Sequence, residues 1–233
     1  MEETEPIIVE WINHALGAPE GVHIIPAHII MATFVLLFCF AFFTLVRSRL
    51  SMENPGRLQQ VVEVAVEFLG DQLEEIIGPS GRKFLNMIGT LGIFILFSNL
   101  IGLIPGLVAP TSNINVTAGC AIVVFLYYNL QGIRAQGILK YLKHFMGPVR
   151  WLAPLMVVIE VISHIARPFS LTVRLFVNIF AEELLVVVFF GLIPLILPLP
   201  FMAYAVFGGM LQAYIFIVLT MVYLAGAVAT EEH

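Results

Sequence analysis

The chain contains 233 residues, of which 60% are hydrophobic and only 12% are charged, and its formal net charge is −5. This composition is typical of integral membrane proteins and excludes a water-soluble domain as the main body of the chain. No polar segment is long enough to fold separately, so we predict a single all-α membrane domain over residues 1–233.

Residues 1–25 are acidic at the start and lack the basic region and cleavage pattern of a secretory signal, so we expect this segment to be retained. The apolar run over residues 26–46 is long enough to cross a hydrocarbon core of about 30 Å. It ends at the basic residues Arg47 and Arg49. We predict that this run forms an N-terminal membrane span that faces lipid.

The pattern changes over residues 55–78, where apolar side chains recur at helical spacing opposite glutamine and glutamate. This pattern predicts an amphipathic helix and not a membrane span. Such a helix either lies along the membrane surface or packs against a partner subunit, and the sequence leaves both possibilities open.

Two further apolar runs flank a turn that carries no charge. The first, over residues 84–107, contains Gly89, Gly92 and Gly102, which allow close packing between membrane helices. The second covers residues 116–130. Together they predict a transmembrane hairpin.

The basic residues are concentrated in the first and third connections between predicted spans. These residues are Arg47, Arg49, Arg57, Arg82, Lys83, Arg134, Lys140, Lys143 and Arg150. The positive-inside rule places both connections in the cytoplasm. We therefore expect five passages, with the N-terminus outside and the C-terminus in the cytoplasm.

The last two hydrophobic stretches are too long for simple crossings. As helices, residues 151–193 would extend about 64 Å, roughly twice the hydrocarbon thickness, and residues 201–229 about 43 Å. The first stretch must therefore be broken, strongly tilted or nearly in the membrane plane, and the second is expected to tilt heavily. We predict two long, strongly tilted, membrane-embedded helices, with Pro168 as a candidate kink.

Ionisable groups are unusually frequent in the first of these stretches. They are Glu160, His164, Arg167, Arg174, Glu182 and Glu183. A charge at bilayer depth costs about 2.5 to 17 kcal/mol, depending on how the cost is measured, so such residues usually face a partner or a water-filled cavity. This stretch is therefore the candidate functional region.

A helical wheel at about 100° per residue separates these groups. Asn178 lies about 40° from Arg174 and Glu182 about 80°, whereas Glu183 lies about 180° away. The other ionisable groups on the Arg174 face are Glu160, His164 and Arg167. The helix thus predicts two polar environments, one with a permanently charged arginine and one with a carboxylate that can carry a proton.

Two stretches, SLTVRLFVNIFAEELL and LQAYIFIVLTMVYLA, closely resemble subunit a of the F-type ATP synthase. The shared pattern is an arginine, an asparagine four residues later, a carboxylate nine residues later, and a glutamine in the last membrane helix. The resemblance extends over the whole chain. The sequence departs from the family pattern at Val177 and Glu182, where the family usually has glycine.

The resemblance implies that Arg174 is the essential stator arginine, facing the carboxylate carried by each subunit of a rotating c-ring. It implies that Glu183, Gln212, Asn178 and Glu160 line or adjoin two aqueous half-channels, and Glu182 adds a second carboxylate. The implied function couples proton flow to rotation and ATP synthesis in a bacterial plasma membrane. The implied partners are the c-ring, the peripheral-stalk b subunits, the rest of the synthase and membrane lipid.

The sequence contains no GxxxxGK[ST] motif, so we expect no direct nucleotide binding and no enzymatic activity of the chain by itself. We also expect no cofactor, no metal and no nucleic acid. Two other classes remain open. A secondary ion-coupled transporter would be favoured by an internal repeat, which is not seen, and a structural membrane scaffold leaves the cost of Arg174 and its carboxylates unexplained.

Overall fold

The structure is a computed structural model that describes residues 9, 11, 13, 25–51, 55–104, 106–144, 153–192 and 198–228. Within these ranges it contains helices and no strand, which confirms the predicted all-α class. The predictions for most of the N-terminal segment, the end of the basic connection, most of the last turn and the C-terminal residues lie outside the described residues.

The described part of the chain forms α-helices joined by short connections, with single 3₁₀ turns at Gly81–Phe84 and Pro110–Ser112. The helices are α1 (Ala27–Ser48), α2 (Arg57–Ile77), α3 (Leu85–Ile101), α4 (Ile114–Gln136), α5 (Ile138–His144), α6 (Ala153–Leu192) and α7 (Pro198–Val228). Their order is the predicted one: a span, an amphipathic helix, a hairpin and two long helices.

Among the described residues, four segments are long and apolar enough to cross a membrane, which confirms an integral membrane protein. They are Ala27–Ser48, Gly81–Ile101, Ile114–Gln136 and Leu199–Val228. Helix α6 is not one of these four: it has 40 residues and carries charged side chains along its length. Its passage through the membrane and the tilt of both long helices stay predictions.

Helix α4 is longer than predicted at both ends. It begins where the Asn113 side chain accepts a hydrogen bond from the Asn115 N–H at 3.0 Å. It ends at Gly137, whose φ of 80° favours glycine. The predicted end of this span at residue 130 was wrong, because the helix continues over residues 131–136, which pack on α7, where Gln136 Nε2 donates to the Ala227 carbonyl at 3.1 Å.

Helix α6 runs through Pro168 without a break, so a broken helix, one of the three predicted possibilities, is wrong. Hydroxyl groups bond to backbone carbonyls around the proline. Ser170 Oγ donates to the Arg167 carbonyl at 3.0 Å, and Thr172 Oγ1 donates to the Pro168 carbonyl at 2.8 Å. Such local bonds help a helix to accommodate proline in a membrane.

Helix α7 is central in the bundle and packs against α2, α3, α4 and α6. Its buried side chains Phe216, Met221 and Leu224 form the core together with residues of those helices. One close approach is at Gly92 of α3, where a Cβ would overlap the side chain of Ile217. Small residues allow membrane helices to approach closely, as predicted for this position.

Helix α2 packs only partly on the bundle. Gly70 and Leu73 are buried, and Arg82 after the helix pairs with Asp71 at 3.0 Å and with Glu74 at 2.7 Å. The apolar residues of its first half are exposed: Leu58, Val61 and Val64. Both predicted occupants of that face, the membrane surface and a partner subunit, stay open.

Candidate functional site

Arg174 lies on the exposed side of α6. Leu171, Leu175 and Ile179 are buried on the neighbouring side and fix the rotation of α6 against the bundle. Within the described residues, the guanidinium makes no hydrogen bond and no ion pair. Because a permanently charged group is costly in apolar surroundings, this surface of α6 requires water or a partner.

One turn after Arg174, an amide pair joins α6 to α7. Asn178 Nδ2 donates to Gln212 Oε1 at 2.6 Å. Gln212 is only 3% exposed, and its Nε2 is buried without a hydrogen-bond partner in the part of the chain that the structure describes. A buried donor without a partner costs about 1–3 kcal/mol. A water molecule bound beside the pair would satisfy this donor.

A cavity of about 220 Å³ opens beside this pair, and we call it the amide cavity. Its polar lining residues are Asn178, Glu182, Tyr204 and Gln212. A polar cavity needs only about 10–15 Å³ of free volume to hold one water molecule, so this one has room for several.

Glu183 lies at a different place, against the turn of the hairpin. Its Oε1 accepts a hydrogen bond from the Ala109 N–H at 2.8 Å. It lines a second cavity of about 150 Å³, which we call the turn cavity, together with Asn99, Gly102 and Glu182. A Cβ at Gly102 would lie 2.8 Å from Glu183 Oε1, so a glycine makes room for the carboxylate.

Glu182 borders both cavities. Its carboxylate lies over Gly208 of α7, where a Cβ would overlap the carboxylate oxygen. Glu182 and Val177 are the two positions where the resembled family usually has glycine. The Val177 side chain is 47% exposed, so it needs no space inside the bundle. Two of the glycines of this chain therefore stand opposite Glu182 and Glu183, on α7 and at the end of α3.

A buried network of hydrogen bonds lies next to the turn cavity and is centred on Asn99. Asn99 Nδ2 donates to the Gly209 carbonyl at 2.9 Å, and Thr111 Oγ1 donates to Asn99 Oδ1 at 2.7 Å. These bonds connect α3, the hairpin turn and α7. They hold the segments that carry Ala109 and Gly208, the neighbours of the two glutamates.

A second polar group, which we call the basic-end cluster, lies around the first half of α6 and consists of Glu160, His164 and Arg167 of α6, Tyr141 of α5 and Asn129 of α4. Glu160 Oε1 lies 3.6 Å from Arg167 Nη2 and 3.6 Å from His164 Nδ1. His164 Nε2 lies 3.3 Å from Tyr141 Oη. The cluster thus joins α6 to α5, the short helix of the basic connection.

Tyr141 also connects this cluster to α4. Its hydroxyl donates to Asn129 Oδ1 at 2.7 Å. Burial raises the pKa of Tyr141 to about 12, so the hydroxyl stays protonated at neutral pH and remains a donor. Arg167 lies over the ring of Tyr223 at 5.7 Å, which adds a contact to α7.

The predicted site residues fall into three places along α6 and α7. Asn178, Glu182 and Gln212 line the amide cavity, and Arg174 lies one helical turn before Asn178, whereas Glu183 contacts the hairpin turn and Glu160 belongs to the basic-end cluster. Along the helix axis, Glu160 is about 21 Å before Arg174 and Glu183 about 14 Å after it. Asn99, Gly102 and Gly208 are parts of the site that were not predicted from the sequence. Only Asn99, an amide inside an apolar run, left a signal.

Comparison with known proteins matches residues 28–225 to the family described as ATP synthase A chain. A relative named ATP synthase subunit a in Solibacter usitatus is 51% identical over 201 residues, covering 86% of both chains. The relative of the same name in Koribacter versatilis is 46% identical over 202 residues, covering 87% of this chain and 82% of the relative.

A third relative with this name, in a Sulfurihydrogenibium species, is 44% identical over 206 residues, covering 88% of this chain and 99% of the relative. The family match includes every residue of the amide pair, the two cavities and the basic-end cluster. The chain therefore belongs to the ATP synthase subunit a family, as the pattern around Arg174 and Gln212 predicts.

Proposed function

We propose that this protein is the ion-translocating stator subunit of a rotary F-type ATP synthase. It provides two offset proton half-channels that exchange protons with the carboxylates of a rotating c-ring. Proton flow through these half-channels turns the rotor and drives ATP synthesis. Membership of the family supports a place in an ATP synthase complex. The surroundings of Arg174 support the proposed proton exchange with the c-ring.

The observation that carries the proposal is the position of Arg174 between two separate polar sites. On one side lie Glu182 and Glu183 at the hairpin turn, and on the other lies the basic-end cluster. Arg174 itself is exposed, and within the described residues it has no ion-pair partner. An arginine placed in this way suits a charged partner that passes along the outside of α6.

Proton flow is coupled to rotation through the charge of the rotor carboxylate that passes Arg174. As a rotor carboxylate approaches Arg174, attraction to the guanidinium favours the ionised form and releases a proton. To turn into lipid, the carboxylate must become neutral again and takes up a proton from the other half-channel. The rotor therefore turns only when protons move from one half-channel to the other.

Arg174 has a second task in this mechanism. Its fixed positive charge raises the energy of a proton that moves directly between the half-channels. Because arginine does not lose its own proton in proteins, it repels protons and does not relay them. The amide pair lies beside this path: Asn178 Oδ1 can accept a hydrogen bond from a protonated rotor carboxyl, and Gln212 Nε2 can donate to water in the amide cavity.

We also propose an orientation and a set of partners. The basic connections lie in the cytoplasm of a bacterium, the N-terminus outside and the C-terminus inside. The c-ring contacts the Arg174 face, and the peripheral-stalk b subunits and the rest of the synthase complete the assembly. ATP chemistry belongs to other subunits, since the chain has no GxxxxGK[ST] motif.

Sided labelling of single cysteines tests this arrangement. The variants Glu183→Cys and Glu160→Cys are made in a background without Cys39 and Cys120, and membranes containing the assembled complex are treated with a charged, membrane-impermeant thiol reagent. We expect position 183 to react from the outer side and position 160 from the cytoplasmic side. Phe40→Cys, on the exposed apolar face of α1, serves as the unreactive control.

Reaction of both positions from the same side would contradict two half-channels of opposite access. So would a lack of reaction at both positions while the complex remains assembled. Assembly is measured by co-purification of the chain with the rotor subunits and the soluble ATPase sector.

A further inference from the structure

Adjacent glutamates of α6 have different surroundings. Glu183 accepts the Ala109 N–H and borders the turn cavity, whereas Glu182 borders the turn cavity and the amide cavity. Among the described residues that line these two cavities, Glu182 is the one carboxylate common to both. A group that faces both cavities is placed to pass a proton from one to the other.

The helix geometry gives a direction to this transfer. Arg174, Asn178 and Glu182 follow one another at intervals of four residues, so they lie on neighbouring parts of one helix face. Glu183 is turned away from them, toward the hairpin turn. Glu182 is therefore nearer to the Arg174 face, and Glu183 is nearer to the charge-free turn.

The contact between Glu182 and Gly208 shows that α7 is shaped for this carboxylate. A Cβ at position 208 would overlap the carboxylate oxygen of Glu182. Gly208 lies one turn before Gln212, so the glycine directs the carboxylate along the same side of α7 as the amide pair. Glu182 thus occupies a built position inside the bundle, although its charge is costly there.

We propose that Glu183 and Glu182 carry protons in series, with Glu182 as the group that exchanges protons with the rotor. This inference rests on the proposed function. A proton on the Glu183 carboxyl passes through water in the turn cavity to the Glu182 carboxylate, and Glu183 takes up another proton from water on its side. Glu182 then protonates an ionised rotor carboxylate. One proton moves in each step. During ATP-driven pumping the proton moves in the opposite direction, from the rotor carboxylate to Glu182 and then to Glu183.

A different arrangement, in which either glutamate loads the rotor independently, makes an opposite prediction. With a series, loss of either carboxylate stops the flow, and loss of both is no worse than loss of one. With two parallel routes, each single loss is mild and the double loss is severe. The two glutamates therefore have to be replaced singly and together.

The experiment measures ATP-driven proton pumping, by quenching of a pH-sensitive dye, in inverted membrane vesicles that contain the whole complex. We expect Glu182→Gln and Glu183→Gln each to lower the pumping rate at least about tenfold, and the double variant to match the single ones. Glu182→Asp keeps the carboxyl group and should restore part of the rate. Co-purification with the rotor subunits confirms assembly of each variant.

The glycine provides a second, independent test. Gly208→Ala should displace the Glu182 carboxylate and lower pumping several-fold. Gly226→Ala is the matched control on the same helix, because a Cβ there meets no atom within 4 Å. We expect this control to pump like the unmodified complex.

Normal pumping by Glu182→Gln would overturn the series, and so would mild single variants combined with an inactive double variant. Arg174→Ala, measured in the same preparation, separates this inference from the proposed function. If Arg174→Ala is inactive while Glu182→Gln is normal, the series fails and the proposed function stands. If Arg174→Ala pumps normally, the proposed function itself fails.

Discussion

The two ends of α6 hold their carboxylates in opposite ways. In the basic-end cluster, Glu160 lies within 3.6 Å of Arg167 and His164. At the turn end, Glu183 accepts a backbone N–H and Glu182 lies over a glycine, and within the described residues neither has a cationic partner. The basic end thus holds its carboxylate in an ion-pair network that borders the proposed cytoplasmic half-channel, whereas the turn end leaves its carboxylates available for exchange with water.

This difference predicts separate consequences for stability and for transport. Removing Glu160 leaves Arg167 and His164 of the same helix without their carboxylate partner. Removing the turn-end carboxylates loses few contacts but removes the groups that we propose to carry protons. The following variants test this contrast, beginning with the largest expected effect.

Glu183→Gln should abolish most proton pumping and leave the complex assembled. The glutamine oxygen can still accept the Ala109 N–H, so the local fold is kept while the acidic proton is lost. We expect a loss of at least about tenfold in the rate of dye quenching in vesicles. Glu183→Asp is the control that retains a carboxyl group. Wild-type pumping by Glu183→Gln would show that Glu183 is not a required proton carrier.

Asn99→Leu should lower both stability and pumping, because it removes the bonds to Gly209 and Thr111 from a buried site. A buried group left without its partner costs about 1–3 kcal/mol. We expect a lower midpoint of thermal unfolding for the purified complex in detergent. Thr111→Val removes only one of these bonds and should have a smaller effect. Equal effects of the two variants would contradict a central role for Asn99.

Glu160→Gln should affect stability more than Glu183→Gln does. The groups involved are about one-third exposed, so the loss of their ion pairs should cost only about 0.5–1 kcal/mol. Thermal unfolding of the purified complex measures this cost. If Glu183→Gln lowers the midpoint further than Glu160→Gln, the contrast between the two ends is wrong.

Tyr141→Phe should have a small effect on stability, similar to that of Glu160→Gln, and the smallest effect on pumping. The ring stays in place against Gly132, but the hydroxyl bond to Asn129 and the contact to His164 are lost. A typical hydrogen bond contributes about 0.5–1.5 kcal/mol, so we expect slightly lower stability and nearly normal pumping. A strong loss of pumping would show that Tyr141 takes part in proton transfer, and the basic-end cluster would then not be mainly structural.

Much of this architecture follows from local sequence properties. Hydropathy indicated the spans, and the wheel separated Arg174 from Glu183, which the structure shows against the hairpin turn. The continuous course of α6 was not determined by the sequence, because Pro168 is compatible with a straight, kinked or broken helix.

Contacts between distant segments were beyond the sequence argument. Asn99 and Gly209 are 110 positions apart, and Ala109 and Glu183 are 74 positions apart. Neither spacing nor hydropathy indicates which residues of two helices meet. The positions of Gly102 and Gly208 opposite the glutamates could not be predicted for the same reason. The sequence does not show which side chain will pack against a glycine in an apolar helix.

The most direct test of the account is coupled pumping by Arg174→Ala in assembled complexes. The account predicts no ATP-driven pumping and no proton-driven ATP synthesis, together with a faster passive proton leak, because the positive barrier between the half-channels is gone. Arg174→Lys should fail as well, since a compact, strongly hydrated ammonium lacks the forked guanidinium. Dye-monitored pH in vesicles measures both pumping and leak. Normal coupled pumping by Arg174→Ala, with the complex shown to be assembled, would contradict the mechanism proposed for this protein.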